Sequence, residues 1–201
     1  MRRIAVLALL LCLALAGSGS RADDIEVRDI DLRFAEEGLV LSADFAFEMN
    51  PRLADAVKNG IPLYFVVEFE LSRPRWYWFD EKTLARQMQL RLSYHPLSRQ
   101  YRLSTGLLQQ SFPSLQEAQG VLRRLRNWLL ADRSVVFAEA EYEASVRMRL
   151  DRALLPRPFQ ISALTNSEWH LEAQWKKFPL RLGPQPPAPV ESRDSTRTES
   201  R

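Results

Sequence analysis

The strictest constraint on this chain is the alternation in residues 61–71. Leu63, Phe65, Val67, Phe69 and Leu71 fall on one side of an extended backbone. Tyr64, Val66, Glu68, Glu70 and Ser72 fall on the other. Side chains two apart share a face only in a strand, so the segment predicts a β-strand with one wholly apolar face. The second face is apolar at its start and polar at its end. Directly after it come Arg73, Arg75, Trp76, Tyr77, Trp78 and Phe79, with four aromatic rings in succession. Alternate side chains of an extended chain oppose one another, so these rings cannot all enter one core. They form a candidate ligand or partner surface, weighed against a role capping the core.

The same period recurs elsewhere. Ile25 and Val27 give way to Ile30, Leu32 and Phe34, a change of phase that predicts a β-bulge near Arg28 and Asp29, or two short strands. Leu39, Leu41, Ala43, Phe45 and Phe47 follow a turn at Gly38 and complete a hairpin. Met88, Leu90, Leu92 and Tyr94 precede a second turn, with Tyr101, Leu103 and Thr105 beyond it. Pairing His95 with Gln100 there sets Tyr94 opposite Tyr101 and Leu92 opposite Leu103, so the apolar faces agree. Further strands are expected at residues 135–137, at 142–150, and through Trp169, Leu171, Ala173 and Trp175.

Two helices interrupt the strands. Asn50 is a good N-cap, Pro51 suits the first helical position, and Gly60 supplies a stop for a short helix. Ser114 and Glu117 make a capping box. Beyond it Leu115, Ala118, Val121, Leu122, Leu125, Trp128 and Leu129 lie at helical spacing and predict one long helix. Arg123, Arg124 and Arg126 would then crowd its C-terminal end. Leu155, Pro156, Arg157, Pro158 and Phe159 read as irregular. The sum is a mainly β (α+β) domain over residues 23–182, an antiparallel β-sandwich or partial barrel of about eight strands.

The ends differ in composition. Arg2 and Arg3 precede an apolar run over residues 4–16, the layout of a signal peptide and short for a membrane span. Cleavage is expected after Ala16 or Ala22, and Ala22 leaves a polar start at Asp23 and Asp24. An uncleaved inner-membrane anchor is the alternative. Cys12 follows Leu11 inside the apolar run, a poor context for lipidation. Residues 183–201 are rich in Pro, Ser, Thr and charge, and read as a disordered tail.

Cleavage after Ala22 removes Arg2, Arg3 and Arg21 from the 28 Lys and Arg, leaving 25 against 25 Asp and Glu. A neutral mature chain has no electrostatic footprint for nucleic acid. It also has no cysteine, which excludes disulfides and thiolate chemistry. Neither His95 nor His170 sits in a catalytic or metal-binding motif, and no cofactor is expected. Glu68, Glu70 and Asp80 lie near aromatics, the setting of carbohydrate enzymes. A salt-bridged strand face, with Arg91 or Arg102 as partner, is the plainer reading. Trp128, Trp169 and Trp175 fall on predicted buried faces.

The runs GIPLYFVVEFEL, RPRWYWFDE, LSYHPLSRQYRLSTG and RMRLDRALLPRPFQ, with the later Trp169 and Leu171, carry a resemblance. Over about residues 25–180 the chain resembles an uncharacterised family of exported proteobacterial proteins, the domain of unknown function numbered 4390. The resemblance implies a periplasmic protein with a signal peptide and supplies no catalytic residues to carry over. Members are often encoded beside a nitrogen-regulation-type sensor kinase, which implies an envelope protein partner. The expectation is a non-catalytic binding or accessory module; the alternative is an enzyme acting on an envelope polymer through its strand carboxylates.

Overall fold

Ten strands join one pairing network in a computed structural model that describes residues 24–74, 81–135 and 140–182. In chain order they are β1 (Asp24–Phe34), β2 (Gly38–Ala46), β3 (Leu63–Arg73), β4 (Glu81–His95), β5 (Gln100–Thr105), β6 (Leu108–Phe112), β7 (Arg124–Asp132), β8 (Ala140–Leu150), β9 (Glu172–Ala173) and β10 (Lys176–Leu182). Three helices intervene: α1 (Pro51–Lys58), α2 (Leu115–Leu122) and α3 (Arg157–Thr165). The order across the sheet is β6-β5-β4-β3-β8-β9-β1-β2-β7, with β10 pairing β8 beside it. The sheet curls into a half-barrel, and the chain is mainly β.

β3 lies inside the sheet, between β4 and β8, and buries the apolar face that its alternation predicts. Leu63, Phe65, Val67, Phe69 and Leu71 are fully buried. Across the next strand, Phe65 meets Leu150, Val67 meets Met148, Phe69 meets Val146 and Leu71 meets Ala144. Each large side chain so enclosed contributes about 1.5–3 kcal/mol of hydrophobic stabilisation. Phe47 stacks on Phe65 at 5.8 Å. α1 and the turn at Trp169 cover the end of the barrel where β3 begins: Asn50 caps α1 through Leu53 N and donates its Nδ2 to Glu168 O at 2.7 Å.

Several local expectations hold. The bulge in β1 falls between Arg28 and Asp31, with Asp29 at φ 45°. β4 and β5 pair in the expected register, Tyr94 against Tyr101 at 4.9 Å. Ser114 accepts from Glu117 N, as a capping box should.

Others are corrected. The long helix does not exist: α2 stops at Leu122, and residues 124–132 are β7, paired with β2. β7 is bulged where Asn127 takes φ 48°, and this places Leu125 and Trp128 three apart yet both buried. A bulged strand thereby imitates helical spacing. The antiparallel rule has one exception, the parallel β1–β9 pair. Residues 157–165 form α3 despite the two prolines at its start, because Pro156 precedes the helix at its N-cap and Pro158 stands in its first turn, where no N–H is required. The last expected strand is broken: Trp169 sits in a 3₁₀ turn and β9 is two residues long. Val135 is outside any strand, and residues 136–137 of that expected strand lie outside the described residues, as do the leader and the tail.

Candidate functional site

Arg73 closes β3 and is exposed, whereas Arg75, Trp76, Tyr77, Trp78, Phe79 and Asp80 lie outside the described residues. Of the other expected site residues, Glu68 and Glu70 lie on the outer face of the sheet, and the histidines lie at turns.

Glu68 is the buried one. Its register partner on β8 is Arg147, and the strand period puts Arg149 on the same face. Glu68 Oε2 accepts from Arg147 Nε at 2.5 Å, and Oε1 from Arg149 Nη2 at 3.1 Å and Gln87 Nε2 at 3.1 Å. Arg147 also reaches Glu172 at 2.6 Å and lies 4.5 Å from the centre of the Trp175 ring. Burial works to lower the pKa of Arg149, but the hydrogen bond and charge of Glu68, with Asp151 and Glu172 behind, hold it above the usual guanidinium value. Both Glu68 oxygens are therefore engaged by donors, and with the side chain only 8% exposed the carboxylate is poorly placed to meet a substrate. Glu70 pairs with Lys82 at 2.7 Å. The salt-bridged reading holds for this face, with Arg147, Arg149 and Lys82 as partners in place of Arg91 or Arg102.

The histidines have local roles. His95 Nδ1 accepts from Ser98 N at 3.3 Å inside the β4–β5 turn. His170 Nε2 stands 3.9 Å from Glu172. No group of three or more His, Cys, Asp or Glu could hold a metal among the described residues. Arg126 is bound to Asp44 at 2.5 Å and to the Ala43 carbonyl, and the Arg123 guanidinium lies over Phe47 at 5.2 Å.

The open side of the half-barrel is the feature that sequence reading missed. β6 and β7 stand at the two ends of the pairing order and do not pair with each other. Between them runs an apolar cleft of about 590 Å³, walled by Met88, Leu90, Leu103, Leu108, Leu125 and Leu129. Leu108 is 75% exposed and Leu129 39% exposed, so the cleft presents apolar surface to water. A second, polar cleft of about 640 Å³ adjoins it and shares Met88, Thr105 and Trp128. The only hint in the sequence was Leu107 and Leu108, two large apolar residues straight after the turn glycine Gly106. The opposite wall was hidden by the misread helix.

A family model described as Domain of unknown function (DUF4390) matches residues 22–179. No curated protein and no solved structure matches the chain.

Proposed function

The chain belongs to the DUF4390 family of domains of unknown function, and from that premise we propose that it is an exported, non-catalytic binding or accessory module of the bacterial envelope. The observation that carries this reading is the open apolar cleft between β7 and the β4–β6 wing. A concave apolar surface beside a polar one is the usual form of a ligand site. The alternative, an enzyme working through Glu68, Glu70 or Asp80, has less support, because Glu68 is enclosed by its arginines and Glu70 is tied to Lys82.

On this reading the protein contact is made by Arg73, Arg75, Trp76, Tyr77, Trp78 and Phe79, and the partner is an envelope protein of the sensor-kinase class. The test places photo-crosslinking side chains at positions 76 and 78 in living cells. Release of the uncrosslinked chain, beginning at Asp23, in the periplasmic fraction and a crosslink to a kinase in the membrane fraction are the expected results. Retention of the chain in the cytoplasm, or crosslinks to no envelope protein, refutes it.

A further inference from the structure

We infer that the open side of the half-barrel binds an anionic amphiphile with a single acyl chain, its chain lying along β7 and its head group at Arg91. This names the ligand class for the binding-module reading and rests on it. The apolar cleft is lined from the inner face of the β4–β6 wing and the polar one from its outer face. They share Met88, Thr105 and Trp128 where β5 ends and β4 runs on unpaired by it. One ligand reaching both must bend round that end of the wing and be apolar at one end and polar at the other. The polar cleft is lined by Tyr64, Gln87, Gln89, Arg91, Ser104 and Gln109, groups suited to phosphate, carboxylate and hydroxyl oxygens.

Charge selects the sign of the head group. Among the described residues, neither cleft has a carboxylate in its wall. Arg91 lies over the Tyr64 ring at 5.9 Å and forms no ion pair with a described residue; the same is true of Arg124 at the margin of the apolar cleft. Glu68, which Gln87 bonds, is already balanced by Arg147 and Arg149. An unpaired guanidinium in a wall of neutral side chains attracts a net anion more strongly than a zwitterion, whose own cation offsets part of the phosphate's charge.

The backbone of β7, along which the occupant lies, disfavours a peptide strand there, whereas the other free edge, β6, pairs with β5 in unbroken register. A strand added to an edge needs an unbroken ladder of N–H and C=O groups. Register shifts interrupt β7 between Leu39/Val40 and between Leu41/Ala43 of its partner β2, and Asn127 turns to φ 48°. Bulges of this kind block edge pairing. A flexible acyl chain needs no such ladder.

The test is fluorescence quenching in the chain as purified from its host, at probe concentrations below micelle formation. The probes are 9,10-dibromostearate, the lysophosphatidylglycerol bearing that chain, and the matching lysophosphatidylcholine. Bromine quenches only nearby indoles, so saturable quenching that disappears in Trp128→Phe is expected. Arg91→Gln is expected to weaken the anionic probes about tenfold, the scale of one hydrogen bond to a charged group. Leu108→Glu, at an exposed position, is expected to do the same with an unchanged circular dichroism spectrum. The two anionic probes separate a free fatty acid from a lipid head group as the source. Absence of Trp128 quenching, equal affinity for the zwitterion, or indifference to Arg91→Gln overturns the inference. Binding of an apolar extended decapeptide instead of any amphiphile overturns it while leaving the binding-module reading in place.

Discussion

Replacing Glu68 by Gln tests the outer-face network. The Glu68 side chain is 8% exposed, and both its oxygens accept from guanidinium groups. An amide presents one oxygen and one NH₂, so whichever way it turns a donor faces a donor. Breaking a buried ion pair from one side costs about 3–5 kcal/mol. The lower end applies, because Arg147 keeps Glu172 at 2.6 Å and Arg149 keeps Asp151 at 3.7 Å. The expected loss is therefore about 3 kcal/mol, or a fall in Tm of roughly 6–12 °C for a domain of this size. Glu70→Gln is the control: the Glu70 side chain is 32% exposed and its partner Lys82 64%, so solvent screening limits its loss to below about 1 kcal/mol. Urea denaturation at neutral pH reads both, with the m value unchanged. A Glu68→Gln variant within about 0.5 kcal/mol of the parent, or one no worse than Glu70→Gln, refutes the reasoning.

Three further outcomes are expected. Gly38→Ala puts a Cβ 2.1 Å from the Ala131 carbonyl oxygen at φ 145°, and is expected to cost at least about 3 kcal/mol in denaturant titration by forcing β2 from β7. Asn127 holds φ 48°, so Asn127→Gly is expected to be nearly neutral and Asn127→Val to lose about 2 kcal/mol; equal effects would show that the bulge is not strained. Ser114→Ala removes the α2 cap and should lower stability by about 1 kcal/mol, with the β-sheet signal in circular dichroism preserved.

Legibility in the sequence tracked the distance over which structure is decided. The β4–β5 hairpin was readable to the register because Tyr94, Tyr101, Leu92 and Leu103 lie within one turn of each other and agree on a face. The β1 bulge announced itself as a phase change. β7 did not, since its bulges give Leu125 and Trp128 a spacing of three, and only its pairing with β2, some eighty residues earlier, decides between strand and helix. The partners of Glu68 were misplaced for the same reason. Arg91 and Arg102 are near in sequence, while Arg147 and Arg149 are brought alongside by the β3–β8 pairing. The open cleft has no local signature at all, because it is the space left between the two ends of the sheet.

The order of strands in the sheet also sets a timetable. β1 and β2 pair as soon as both exist, and β3 through β6 follow one another as neighbours. The two blocks are joined through β8 and β9, which come after residue 139, and the β9–β1 pair links nearly opposite ends of the described chain. A chain made from its N-terminus therefore carries two separate sheets with bare inner faces until its last third arrives. Contacts so distant in sequence are slow to form, and partly assembled sheets of this sort aggregate. A chain truncated before β8 is thus a pair of half-finished surfaces, and the interval before β8 arrives is when this protein most needs to be kept from its neighbours.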